Sequence, residues 1–231
     1  MKTSIKNSVS LSLNNRTFTL FQLCDDPNVP LVIEIAFYNQ HEELIKACSR
    51  LNSPDFNLLC VGNLNWDQDL SPWPHAPCFE PNDDFTGNAP QFLQTLLQGM
   101  DQEVDRLHLN PSCKVIAGYS LGGLFALWSL YQTDAFEKVV CASGSLWYPD
   151  LLAYVQSHPL VSKPEAVYLS LGRKEIMVRN PLVQKTGQIM ETIEQDYQKG
   201  GIPCIFQWNP GNHFTDPIGR LAAGLVWVLN H

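Results

Sequence analysis

Gly118-Tyr119-Ser120-Leu121-Gly122-Gly123 lies between two apolar stretches of different character. Before it, Cys113-Lys114-Val115-Ile116-Ala117 is short and β-branched and reads as a buried strand. After it, Leu124-Phe125-Ala126-Leu127-Trp128-Ser129-Leu130-Tyr131 carries apolar residues at helical spacing. A serine held between a strand and a helix by glycines has the G-x-S-x-G form of a nucleophile elbow. Such a turn is tight, so Gly118 and Gly122 stand where a Cβ would clash. The serine hydroxyl is lifted clear, and the first N–H groups of the helix point at any anion formed beside it. The bland alternative is a turn that only joins two elements or binds phosphate. No Lys-Ser or Lys-Thr closes it and no G-x-G-x-x-G occurs, which sets it apart from phosphate loops.

Working outward, segments 8–13 and 17–23 alternate and are joined by Asn14-Asn15-Arg16, a hairpin signal. Leu31 to Phe37, broken only by Glu34, and Phe56 to Val61 are continuous apolar runs that predict central strands, with a helix over 41–52 between them. Residues 63–86 are rich in Pro, Trp and Asp and predict a long loop. Phe92, Leu93, Leu96, Leu97, Met100, Val104 and Leu107 share one face of a helix over 90–108. Strands follow at 138–142, 166–171 and 203–208, and helices at 182–199 and 217–229. Alternating strands and helices from residue 31 onward predict an α/β fold: a mainly parallel sheet covered on both faces, with an N-terminal antiparallel hairpin. Neither repeat nor linker divides the chain, so one domain over 1–231 is expected. Ligands of such sheets sit beyond the carboxyl ends of the strands, where Ser120 falls.

A serine hydroxyl needs a base to take its proton. Of six histidines (41, 75, 108, 158, 213 and 231), His213 lies in Trp208-Asn209-Pro210-Gly211-Asn212-His213-Phe214, directly after the last strand. That is where a base belongs once Ser120 is a nucleophile; alone it would read as a surface-loop histidine. The base needs a carboxylate to hold its tautomer. Glu175, in Gly172-Arg173-Lys174-Glu175 after the preceding strand, fits best; Asp150, after Ser143-Gly144-Ser145-Leu146-Trp147-Tyr148-Pro149, is the runner-up. Asp196 belongs to a solvated helix face. An oxyanion hole would use the Leu121 N–H and a second donor from the loop after the third strand, Phe37 or Tyr38. Trp147, Trp73 and Trp66 are candidates to wall a substrate, Trp147 equally a core residue, and His75 in the long loop is a further candidate to line the site.

The chain of 231 residues has a formal net charge of −8, which argues against nucleic acid or an anionic membrane surface as partner. Seven cysteines (24, 48, 60, 78, 113, 141 and 204) form no CxxC pair, so neither a zinc site nor a redox motif is expected. Residues 1–10 lack an apolar core of signal-peptide length and no run has the length of a membrane span, so the expectation is a reduced, cytoplasmic protein. Composition does not fix an oligomeric state.

Several landmarks together resemble the esterase branch of the α/β-hydrolases, which includes enterochelin (siderophore) esterases, esterase D and the mycolyltransferases. They are Asp69-Leu70-Ser71-Pro72, the elbow, Ser143-Gly144-Ser145-Leu146-Trp147-Tyr148, Gly172-Arg173-Lys174-Glu175 and Gly211-Asn212-His213, over roughly residues 31–229. The similarity is greatest to the siderophore-esterase-like group. It implies an α/β-hydrolase fold, a Ser120–Glu175–His213 triad, a small-molecule ester substrate, and neither metal nor organic cofactor. That group carries Asp-Gly after the third strand, where this chain has Ala36-Phe37-Tyr38-Asn39. The chain is short for the group, so any lid would come from 63–86. The competing readings are an acyltransferase with the same triad and a non-catalytic binding protein on the same scaffold.

Overall fold

In the computed structural model, which describes residues 5–36, 40–78 and 82–231, β1 (Asn7–Leu13) turns back on β2 (Arg16–Gln22) through Asn14 and Asn15. Both asparagines have positive φ, 48° and 61°, the left-handed pair that matches the twist of a two-residue hairpin. Then come β3 (Leu31–Ile35), α1 (His41–Arg50), β4 (Asn57–Gly62), α2 (Trp66–Leu70), β5 (Pro74–His75), β6 (Phe85–Thr86) and α3 (Ala89–Arg106). The second half runs β7 (Lys114–Tyr119), α4 (Leu121–Ser129), β8 (Lys138–Ala142), α5 (Leu151–Ser157), β9 (Ala166–Gly172), α6 (Pro181–Gln184), α7 (Thr186–Lys199), β10 (Cys204–Asn209) and α8 (Pro217–Leu229).

Among the described residues the main sheet has eight strands in the order β1-β2-β4-β3-β7-β8-β9-β10. The β1–β2 and β2–β4 pairs are antiparallel, and every pair from β4 to β10 is parallel. Strand alternation divides the core. Leu31, Ile33, Ile35, Ile116, Val139, Cys141, Val167 and Leu169 face one layer, with Phe92 and Leu96 of α3, Phe125 of α4 and Met190 and Ile193 of α7. Val32, Val115, Ala117, Val140 and Tyr168 face the other, with Leu44 and Ile45 of α1 and Leu221, Leu225 and Val228 of α8. Each layer buries its apolar side chains against one face of the sheet, the arrangement that parallel strands require.

Three parts of the chain differ from the sequence reading, the first being α5 (Leu151–Ser157), a short helix that the reading does not include. Residues 63–86 are not loop throughout: they contain α2 and the antiparallel pair β5–β6. Asp69 pins α2 by accepting from Asn65 N and Arg16, while the Ser71 hydroxyl donates to Gln68 O and accepts from Gly87 N. A five-residue helix and two-residue strands are too short to leave a period in the sequence. The helix expected over 182–199 is interrupted at Lys185 and splits into α6 and α7. All seven cysteines are free. Among the described residues no helix is long and apolar enough to cross a membrane.

The hairpin turn gives a direct stability test. Asn15→Val places a β-branched residue at positive φ and should lower unfolding free energy by about 1–2 kcal/mol, whereas Asn15→Gly should hold or raise it. Urea unfolding of the two variants measures the difference.

Candidate active site

The carboxyl ends of β7, β8, β9 and β10 converge, and the turns that leave them carry the chemically active side chains. Ser120 is the single residue between β7 and α4, at φ 58° and ψ −124°. A non-glycine residue in so sparsely populated a region costs on the order of 1–3 kcal/mol and persists only where its surroundings fix it. Here Ser120 N donates to Ala142 O (3.2 Å), and Ser120 O accepts from Leu124 N (3.1 Å) and Ser145 N (3.0 Å). A Cβ on Gly118 would lie 2.2 Å from the Gly122 carbonyl group, so the turn closes only without one.

Ser120 Oγ lies 3.1 Å from His213 Nε2, and His213 Nδ1 lies 2.7 Å from Glu175 Oε2. The other Glu175 oxygen accepts from Gly172 N (2.7 Å), Ser143 Oγ (2.9 Å) and Arg220 Nη1 (2.8 Å). Glu175 is 6% exposed. Burial pushes its carboxyl upward, but the hydrogen bond and charge of His213, with the Gly172 N–H and the Ser143 hydroxyl, hold it below the ordinary value. An ionised carboxylate can only accept, so Nδ1 carries the proton and Nε2 is left to accept from the serine.

The His213 loop is tied down separately. Tyr119 OH donates to His213 O (2.7 Å), and Lys174 N donates to Gly211 O (2.9 Å). Arg220 Nη2 donates to Pro210 O (2.8 Å) and Asn212 O (2.9 Å). Arg220 is 4% exposed, so one buried guanidinium grips both the carboxylate and the loop that carries the imidazole. Sequence reasoning missed it. The available signal was a lone cation in the otherwise apolar helix 217–229.

The Ser-Gly-Ser block also reaches the site: Ser143 bonds to Glu175, and Ser145 Oγ lies 3.3 Å from Ser120 Oγ. Asp150 is elsewhere. It precedes α5 at φ 65°, exposed, beside Trp73 and Tyr154. Leu121 opens α4, so its N–H has no acceptor within the helix. Phe37 and Tyr38, expected to give the second oxyanion donor, lie outside the described residues. Ala36 N does not replace them, because it donates to Val61 O (3.0 Å).

Two cavities meet at Ser120 and His213. One, of about 360 Å³, is lined by Glu34, Ile35, Tyr119, Ile218 and Leu221. The other, of about 590 Å³, is lined by Leu121, Ser145, Trp147, Leu171, Val183 and Thr186 among others. Trp66 and Phe214 line both, and Phe214 is 85% exposed. These volumes suit small molecules. Trp147 lines the larger cavity and also packs against the core, so both expected placements describe it. Trp73 and His75 do not line that cavity. Trp73 donates its indole N–H to Pro149 O (3.1 Å), packs on Tyr148 and Tyr154, and borders a separate depression with Asp150. His75 Nδ1 is 2.7 Å from Ala76 O and lines neither cavity.

No family model matches the chain. The uncharacterized protein YbbA of Bacillus subtilis (strain 168) is 24% identical over 197 residues, covering 78% of this chain and 79% of YbbA. An IroE-like serine hydrolase from Shewanella oneidensis superposes with a TM-score of 0.76 at 16% identity, over 97% of this chain and 80% of that one. The siderophore hydrolase EstA from Aspergillus nidulans gives 0.74 at 16% identity, over 97% and 94%. At these identities the likeness is one of fold: the chain has the α/β-hydrolase fold, a mainly parallel sheet covered by helices on both faces and edged by an antiparallel hairpin.

Proposed function

We propose that the protein is a serine hydrolase of carboxylic esters and that it works through an acyl-enzyme. The observation that carries this reading is the unbroken chain from Ser120 Oγ through His213 to a buried Glu175, at 3.1 Å and 2.7 Å. Ser120 attacks the ester carbonyl while His213 Nε2 takes the hydroxyl proton. The imidazolium so formed is stabilised by Glu175 and returns the proton to the departing alkoxide. Water then repeats the sequence on the acyl-enzyme and releases the acid. The Leu121 N–H, with that of Phe37 or Tyr38, holds the oxyanion; one such donor is worth about 3–4 kcal/mol in the transition state. Trp147 walls the larger cavity. The siderophore hydrolases that share the fold support a polyfunctional, siderophore-like ester as the substrate class, and one domain over 1–231 carries the whole apparatus.

A fluorophosphonate should label wild-type protein at Ser120, and Ser120→Ala should abolish labelling and lower kcat on short p-nitrophenyl esters by several orders of magnitude. Glu175→Gln should be far more damaging than Asp150→Asn; equal losses would reject the acid assignment. Folded wild-type protein that neither labels nor turns over esters would reject the hydrolase reading.

Arg220 is proposed as a positioning residue. Arg220→Lys keeps the charge but loses the fork that reaches Glu175 and two carbonyls at once, so kcat should fall about 100-fold with KM little changed. Arg220→Met, which strands a buried carboxylate, should also cost about 3–5 kcal/mol of stability. Steady-state kinetics and denaturant unfolding separate the two effects.

A further inference from the structure

Glu34 interrupts an apolar central strand, and the mechanism makes no use of it. It lies on β3 between Ile33 and Ile35, is 4% exposed, and by strand alternation faces the α1–α8 layer. In register it stands opposite Cys60 of β4 and Ala117 of β7. One carboxyl oxygen accepts from the Cys60 thiol at 3.1 Å. Among the described residues no lysine, arginine or histidine forms an ion pair with it. Glu34 is nonetheless one of the residues that line the 360 Å³ cavity at Ser120.

The groups packed around it form no ion pair with it: His213 lines the same cavity, but its two ring nitrogens meet Ser120 and Glu175. From β4 comes the Cys60 thiol, and from α1 the Cys48 thiol, which burial and the Glu34 charge both push up. Tyr119 of β7 lines the same cavity with its hydroxyl committed to His213 O. From α8 come Ile218 and Leu221. The neighbouring cation, Arg220, is spent on Glu175 and the His213 loop. Burial, only partly offset by the Cys60 hydrogen bond, lifts the Glu34 carboxyl from 4.5 to about 7. A carboxylate kept out of water without a cation is costly. A cationic ligand entering the cavity would remove that cost, and the apolar side chains beside it would take the ligand's alkyl part. The net charge of −8 favours the approach of cations over anions.

We propose that this cavity is a subsite for a primary ammonium group carried on one half of the ester, with Glu34 as its counter-ion. The proposal rests on the reading of Ser120 as an ester-cleaving nucleophile, because that reading makes the cavity part of a substrate site. Glu34→Gln is the suitable variant, since the amide oxygen still accepts from Cys60 while the charge is gone.

Two measurements on the full chain test it. In calorimetric titrations at pH 8, n-pentylamine should bind wild-type protein about tenfold or more tightly than 1-pentanol. That margin should vanish in Glu34→Gln and persist in Ser120→Ala. In kinetics, ω-amino esters are compared with alkyl esters of equal length, with the amine on the acyl side in one pair and on the alcohol side in the other. Wild-type protein should prefer the amine in one pair by kcat/KM, more at pH 8 than at pH 6, and Glu34→Gln should lose about tenfold of that preference. Taking the ratio cancels any pH dependence that the two esters share. Equal binding of amine and alcohol to wild-type protein, or a preference that survives Glu34→Gln, overturns the subsite. Glu34-dependent amine binding in a protein that cleaves no ester supports the subsite and rejects the hydrolase reading instead.

Discussion

The buried carboxylate of Glu175 is the point on which the site depends. It lies in the turn after β9, where the Gly172 N–H of its own strand end donates to it, yet its other partners come from three further segments: Ser143 after β8, His213 after β10 and Arg220 of α8. A charge removed from water must be met by donors on all sides. Meeting it fixes the distances between strand ends that are far apart in sequence. The same guanidinium continues to Pro210 O and Asn212 O, so the carboxylate and the imidazole loop are set by one side chain. A Cβ on Gly172 would lie 2.7 Å from Arg220 and 2.8 Å from Glu175 Oε1, which leaves no space for any residue but glycine in this cluster.

The strain at Ser120 belongs to the same economy. Its positive φ is unfavourable by itself, and so is that of Ser143 at 43°. Both residues follow central parallel strands whose neighbours are packed on both faces, and the hydrogen bonds of Ser120 to Ala142, Leu124 and Ser145 leave the turn no alternative. Packing in the two layers therefore holds a backbone that local propensity would not choose. The serine hydroxyl, held clear of its own strand, meets an imidazole whose position is fixed from the opposite side.

The fold and the triad candidates were legible in the sequence because each leaves a local trace. Alternation of apolar runs with helical stripes marks the sheet, and Ser120, Glu175 and His213 each follow a strand by a few residues. Arg220 was not legible, since its role exists only once residues 119, 143, 175 and 210–212 are brought around it. Nor was the place of Trp73 and His75. The residues of 63–86 read as loop because their ordered pieces are too short for any period. Glu34 was visible only as a break in a hydrophobic run, and a sequence does not distinguish a carboxyl that meets a partner from one that meets a cavity.

Glu34 and Glu175 make that distinction concrete. Both are glutamates, both are buried, and both belong to the carboxyl ends of parallel strands that border the same serine. Glu175, with a guanidinium and three further donors, is held below its ordinary value; Glu34, with one thiol, is raised to about 7. Their effects on stability therefore run in opposite senses. For Glu175 the unfolded state binds protons more readily, so its contribution is present above an unfolded pKa of about 4.5 and disappears as pH falls through the lower folded value. For Glu34 the folded state holds the extra proton, so stability falls as pH rises from about 4.5 to about 7. At neutral pH the fold thus gains from one carboxylate and is strained by the other. The strained one is the carboxylate whose missing counter-charge a substrate can supply.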